Sequence, residues 1–150
     1  MTIAAQTART PMPNRIRRVL MIDDEKFDQM VYRRVLDRSG LVDETIMFLS
    51  AEDALDWLSG PDRKPVDVVF LDINMPRMNG FEFLDAAHDR LGPGFAAMVV
   101  VMLTTSLNPT DRQRAEKYDV VKSFLTKPLT VSHVRETAEL LVTMDHSRST

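Results

Sequence analysis

Val66-Asp67-Val68-Val69-Phe70-Leu71-Asp72-Ile73-Asn74-Met75-Pro76-Arg77-Met78-Asn79-Gly80 is the stretch on which the fold turns. Val66 to Leu71 is too short for a helix and too continuously apolar for a half-exposed strand, so it reads as a strand buried on both faces. It runs into a carboxylate, Asp72, and then into a turn-rich segment that ends in Asn-Gly. Beyond the turn, Phe81, Phe83, Leu84 and Ala87 supply the apolar face of a helix. A buried strand feeding a helix is half of a βαβ unit, and the same half recurs on both sides.

Upstream, Val19-Leu20-Met21-Ile22 closes on Asp23-Asp24-Glu25, which ends a buried strand and starts a helix. Phe27, Val31 and Val35, with Met30 and Leu36 beside them, mark the expected inner face of that helix, and Gly40 stops it. Thr45 to Leu49 predicts a second strand, and Ser50 caps a helix carrying Ala54, Leu55, Trp57 and Leu58 as far as Gly60-Pro61. Downstream, Gly92-Pro93-Gly94 breaks the third helix before the strand Met98 to Leu103. Pro109 opens a fourth helix reaching about Tyr118, Ser123 to Leu125 forms the last strand, and Val131, Val134, Ala138, Leu141 and Val142 stripe a fifth helix. Five strands alternating with five helices predict an α/β, doubly wound parallel sheet covered on both faces, with right-handed crossovers.

Composition narrows the function. At 150 residues the chain is expected to be about one domain, which excludes a multidomain enzyme. With no Cys it has neither a disulfide framework nor a Cys-based zinc site, and the cytoplasm is the expected compartment. Nineteen Lys+Arg against 22 Asp+Glu give a net charge of -3, so the molecule offers no general attraction to nucleic acid or to an anionic membrane. The longest apolar stretch, Ala96 to Leu103, is far short of the ~20 residues that span a bilayer. Residues 1–17, with Pro11 and Pro13 and a basic cluster of Arg15, Arg17 and Arg18, read as a flexible tail, residues 18–145 as the domain, and residues 146–150 as a polar C-terminal tail. His88, His133 and His146 share no metal-ligand spacing and read as surface residues.

A doubly wound sheet places its ligand site outside the carboxyl ends of its strands. Here those ends are Asp23-Asp24, Asp72, Thr104-Thr105-Ser106 and Thr126-Lys127-Pro128. Three carboxylates without histidine suit Mg²⁺, and without a cation their mutual repulsion should raise at least one pKa. A carboxylate beside such an ion can attack phosphorus, and Asp72, at the end of the central strand, is the expected nucleophile. Asp23 and Asp24 then serve as metal ligands, while Lys127 and Thr104 hold phosphoryl oxygens. Taken singly, Asp24 reads as a helix cap, Lys127 as a surface lysine, and Thr105 and Ser106 as either site lining or caps of the fourth helix.

At these spacings the chain resembles the receiver domain of bacterial two-component response regulators. The residues that carry the resemblance are the acidic pair Asp23-Asp24, Asp72 with Asn74-Met75-Pro76 and Gly80, Leu103-Thr104, and Lys127-Pro128. It spans about Arg18 to Asp145, and a stand-alone receiver is the expectation. The resemblance implies a flavodoxin-like sheet of order 2-1-3-4-5, with Asp72 accepting a phosphoryl group from a sensor histidine kinase. Mg²⁺ would be held by Asp23, Asp24, Asp72 and the backbone carbonyl of Asn74, with Thr105, Ser106, Met75 and Pro128 lining the site. It further implies a switch in which Thr104 moves and the aromatic Phe124 follows, and a cis Lys127-Pro128 peptide. Phe124 stands where Tyr is common, and Thr105 where Ala is often found. Leu103-Thr104-Thr105-Ser106 and Tyr118-Asp119 are similar to the small regulators that partner bacterial phytochrome kinases.

The function expected from this resemblance is a phosphorylation-controlled interaction module whose fourth helix, fifth strand and fifth helix bind an effector protein or form a homodimer. The chain could instead pass its phosphoryl group to a histidine phosphotransferase, or act as a phosphorylation-independent scaffold. An enzyme acting on other molecules is not expected. Haloacid-dehalogenase-type phosphatases need a second Asp two residues after the nucleophile, where this chain has Asn74, which cannot transfer protons.

Overall fold

The computed structural model describes residues 15–106 and 108–149. β1 (Ile16–Ile22), β2 (Val42–Phe48), β3 (Val68–Asp72), β4 (Val99–Thr104) and β5 (Val121–Thr126) alternate with α1 (Lys26–Ser39), α2 (Ala51–Ser59), α3 (Gly80–Leu91), α4 (Pro109–Ala115) and α5 (Val131–Ser149). The strands form one parallel sheet in the order β2-β1-β3-β4-β5, the flavodoxin-like arrangement. A short sixth helix, Pro93–Ala96, follows α3.

Successive side chains along a strand point to opposite faces, and the strands sort their apolar residues accordingly. Leu20, Ile22, Val69, Leu71, Val100 and Met102 pack under α2 and α3, whose Leu55, Leu58, Phe81, Phe83 and Leu84 close that layer. Val19, Met21, Val68, Phe70, Val101 and Leu103 pack on the other face, against Tyr32 and Leu36 of α1 and Val134 and Ala138 of α5. Every residue of β3 and β4 is buried, which explains their unbroken apolar sequence. At the start of α5, Thr130 and His133 cap each other: the Thr130 N–H donates to His133 Nδ1 at 3.1 Å, and the His133 N–H donates to Thr130 Oγ1 at 3.2 Å.

Four expectations are corrected. β1 begins at Ile16, which is fully buried, and so includes Arg17 and Arg18; their backbone N–H groups donate to Asp67 Oδ2 at 2.9 and 3.2 Å. Residues 1–14 of the expected tail lie outside the described residues. α5 continues through Ser149, because no Gly or Pro interrupts the chain after Pro128. After the break at Gly92 (φ 57°), Pro93 opens a helical turn that seats Phe95 edge-on against Phe83, with centroids 6.3 Å apart.

The fourth correction concerns α1. Its buried row is Gln29, Tyr32 and Leu36; Val31 and Val35 are half-buried, whereas Phe27 is 72% and Met30 58% exposed. The helix is turned by a polar side chain. Gln29 Nε2 donates to the carbonyls of Asp23 at 2.8 Å and Phe48 at 2.7 Å, at the ends of two adjacent strands. That anchor fixes the helix phase one row away from the one the apolar residues suggest.

Candidate functional site

The register of the sheet brings the strand ends into line: Ile22 pairs with Leu71, Asp72 with Leu103, and Thr104 with Thr126. Asp23, one residue beyond β1, is fully buried, and Asp72, the last residue of β3, is 5% exposed. With the half-buried Asp24 they place one carboxylate oxygen each within 4.8 Å of one another. Lys127 reaches this cluster from beyond β5, its backbone N–H donating to the Thr104 carbonyl at 2.8 Å. Its Nζ lies 2.9 Å from Asp23 Oδ2 and 3.4 Å from Asp72 Oδ1. The same Nζ donates to Asp28 Oδ2, on the first turn of α1, at 3.3 Å.

The electrostatics follow from burying several anions around one cation. Burial, and then the charge of Asp23, push the Asp72 carboxyl up to about 7, against the opposing pull of Lys127. Asp23 is also raised by burial, with Lys127 and the Glu25 N–H (2.9 Å to Asp23 Oδ1) working the other way. Repulsion was the expected cause of such a shift; desolvation is the larger one. Burial alone would lower the Lys127 ammonium, but its hydrogen bond to Asp23 and the charges of Asp72 and Asp23 outweigh it and raise its pKa. Tyr32, whose ring centroid lies 6.0 Å from Lys127 Nζ, is pushed up to about 12, chiefly by burial. Clustered, buried carboxylates with raised pKa values are the donor set a hard divalent cation fits, since it removes their repulsion and restores their charge.

The β3–α3 loop explains the Asn-Gly pair. Gly80 returns its N–H to the Ile73 carbonyl at 2.8 Å, and a Cβ there would stand 2.7 Å from the Asp72 carbonyl oxygen. Only a glycine lets the helix begin so close to the strand end. Asn79 and Glu82 form a reciprocal capping box on α3, with both bonds at 2.9 Å. Asn74 is exposed on this loop, whereas Met75 is buried in the core.

Thr104 is fully buried and its Oγ1 accepts from the Ser106 N–H at 2.9 Å, which fixes the side chain at the carboxyl end of β4. Ser106 in turn accepts from the Asn108 N–H at 3.1 Å; it shapes the turn, and the cap of α4 is Asn108. Thr105 and Pro128 are exposed, and the Lys127-Pro128 peptide is cis. Asp24 does not cap α1; Glu25 holds that position, without a side-chain cap bond. Phe124 is half-buried on β5, with the Arg112 guanidinium 4.9 Å from its ring centroid. Sequence reasoning missed Asp28, Gln29 and Tyr32. All three face the cluster from α1, and only the corrected phase of that helix brings them there.

Among the described residues, no helix is long and apolar enough to cross a membrane. The response regulator receiver domain family matches residues 19–139. The sensory/regulatory protein RpfC of Xanthomonas campestris is 30% identical over 126 residues, which cover 83% of this chain but only 16% of that protein. A two-component response regulator from Cytophaga hutchinsonii superposes with a TM-score of 0.79 at 28% identity, covering 86% of this chain and 98% of the other. The bacteriophytochrome response regulator RtBRR gives a TM-score of 0.71 at 25% identity, covering 84% of this chain and 78% of its own. The matched segment includes all the strands' carboxyl ends and the residues converging on them: this chain belongs to the response regulator receiver domain family.

Proposed function

We propose that the chain accepts a phosphoryl group on Asp72 from the phosphohistidine of a sensor histidine kinase, and that this changes the surface made by α4, β5 and α5. The observation that carries this reading is the placement of Asp72: a buried carboxylate at the end of the central strand, within the three-carboxylate cluster and 3.4 Å from Lys127 Nζ. An Asp72 carboxylate oxygen attacks phosphorus; the P–O bond forms as the P–N bond breaks, and the electron pair passes to the donor ring, which departs as neutral imidazole because its other nitrogen carries a proton. Lys127 supplies a point charge, and Thr104 a hydroxyl, to the transferred oxygens. Asp23, Asp24, Asp72 and the Asn74 carbonyl would hold Mg²⁺, which supplies further positive charge to those oxygens when bound.

The donor's approach is marked by exposed apolar side chains. Phe27 and Met30 on the first two turns of α1, and Leu49 just after β2, are the exposed large hydrophobics among the described residues, and they follow the carboxyl ends of β1 and β2. On the output side, Arg112 Nη2 donates to the Phe124 carbonyl at 3.4 Å while its guanidinium covers the ring. Movement of Phe124 is therefore felt by α4 even though this side chain lacks a hydroxyl. An effector protein, a histidine phosphotransferase or a second copy of the chain would read that face.

The test is intact mass after incubation with Mg²⁺ and acetyl phosphate. Wild type should gain one phosphoryl group; Asp72→Asn, and wild type in EDTA, should gain none. Absence of an adduct together with failure of beryllofluoride to bind would return the phosphorylation-independent scaffold as the better reading.

A further inference from the structure

Lys127 is shared among more carboxylates than the phosphoryl chemistry needs. Its side chain is only 10% exposed, and its ammonium hydrogen-bonds Asp23 at 2.9 Å and Asp28 at 3.3 Å and makes an ion pair with Asp72 at 3.4 Å. An ammonium has three donors; Asp23 and Asp28 engage two of them, which leaves one for Asp72 or the group upon it. Two of the three partners belong to the cluster that can hold a cation; Asp28 does not. When a cation engages Asp23 and a phosphoryl group caps Asp72, Asp28 is the carboxylate that still competes for Lys127. It sits on the first turn of α1, and α1 itself is anchored to the strand ends by Gln29.

We propose that Asp28 is a positioning residue that draws the Lys127 ammonium toward α1 and so restrains its engagement with the group on Asp72. The inference rests on the phosphoacceptor reading and deepens it. Asp28 touches neither phosphorus nor the cation cluster; it acts through Lys127. Its effect is a built-in restraint on the phosphorylated state, set by a side chain outside the strand-end motif.

The probe is Mg²⁺-dependent beryllofluoride binding, followed by ¹⁹F NMR on the full chain. Asp28→Asn should bind roughly three- to tenfold more tightly than wild type, the scale of a partly exposed, charge-assisted contact released to a competing acceptor. Asp28→Glu, which keeps the carboxylate, should return toward wild-type affinity. In a Lys127→Ala background the Asp28→Asn gain should vanish. Unchanged affinity in Asp28→Asn, or a gain that persists without Lys127 and so reflects plain charge repulsion, would overturn the positioning role while leaving the acceptor reading intact. Failure of wild type itself to bind beryllofluoride would overturn the acceptor reading, and this inference with it. Thermal melts of each variant separate these outcomes from loss of fold.

Discussion

At the amino ends of β1 and β2, Arg15 and Arg18 each pair with one carboxylate, whereas at the carboxyl ends of the same sheet several carboxylates crowd one lysine. Arg18 Nε donates to Glu44 at 2.6 Å and its Nη1 to the Pro65 carbonyl at 2.6 Å, while Arg15 pairs with Asp43. The carboxylates there are open to solvent, and the Arg18 hydrogen bond holds Glu44 below the usual carboxylate range. At the other end Asp23 and Asp72 are buried and raised, with Asp24, Asp28 and Lys127 around them. Matched, wet pairs stabilise a terminus modestly; unmatched, buried anions oppose folding, and such clusters are characteristic of functional sites.

The largest expected effect tests that opposition. The folded state holds the Asp72 proton up to about 7, well above the ordinary value of 3.8, so the folded chain binds that proton more tightly than the unfolded one does. The stability it brings is complete below about pH 4 and is lost as pH rises through 7. In EDTA, Asp72→Asn should therefore be more stable than wild type at pH 8 by ~2–4 kcal/mol in chemical denaturation, with the difference closing toward pH 4. A difference that did not vary with pH would remove the contrast between the two ends. Gly80→Ala comes next: forcing a methyl against the Asp72 carbonyl should cost about 1–3 kcal/mol in the same assay.

Asp23→Asn should weaken Mg²⁺ binding by about tenfold or more in calorimetric titration, since it removes a charged ligand from the cluster. The smallest effect belongs to the amino end. Arg18→Ala should lower the melting temperature slightly and leave Mg²⁺ affinity and phosphoryl acceptance unchanged; a change in either would couple the two ends through β1.

The strand ends were legible because each is announced locally. An apolar run that stops at Asp23, Asp72, Thr104 or Lys127 names both the element and its terminal residue, and a parallel sheet aligns such ends without further information. Asn79-Gly80 was legible for the same reason, since capping and close approach are demands on single residues. The α1 helix was not. Its apolar residues Phe27, Met30, Val31 and Val35 form a plausible inner face, yet Gln29 and Tyr32 take the buried positions. Helical periodicity places side chains relative to one another; it does not rotate the helix against the sheet.

The sequence by itself determined the alternation of buried strands and helices, and hence the doubly wound parallel sheet, together with the carboxylates, threonine and lysine that the sheet must bring together. It did so because burial on both faces, turn chemistry and terminal residues are properties of short segments. Only the tertiary structure decided how α1 is turned, and with it the exposure of Phe27 and Met30 and the arrival of Asp28 and Tyr32 beside Lys127. It also decided the charge states, raising Asp72 and Asp23, because desolvation and the proximity of residues some fifty or a hundred positions apart exist only once the chain has closed around them.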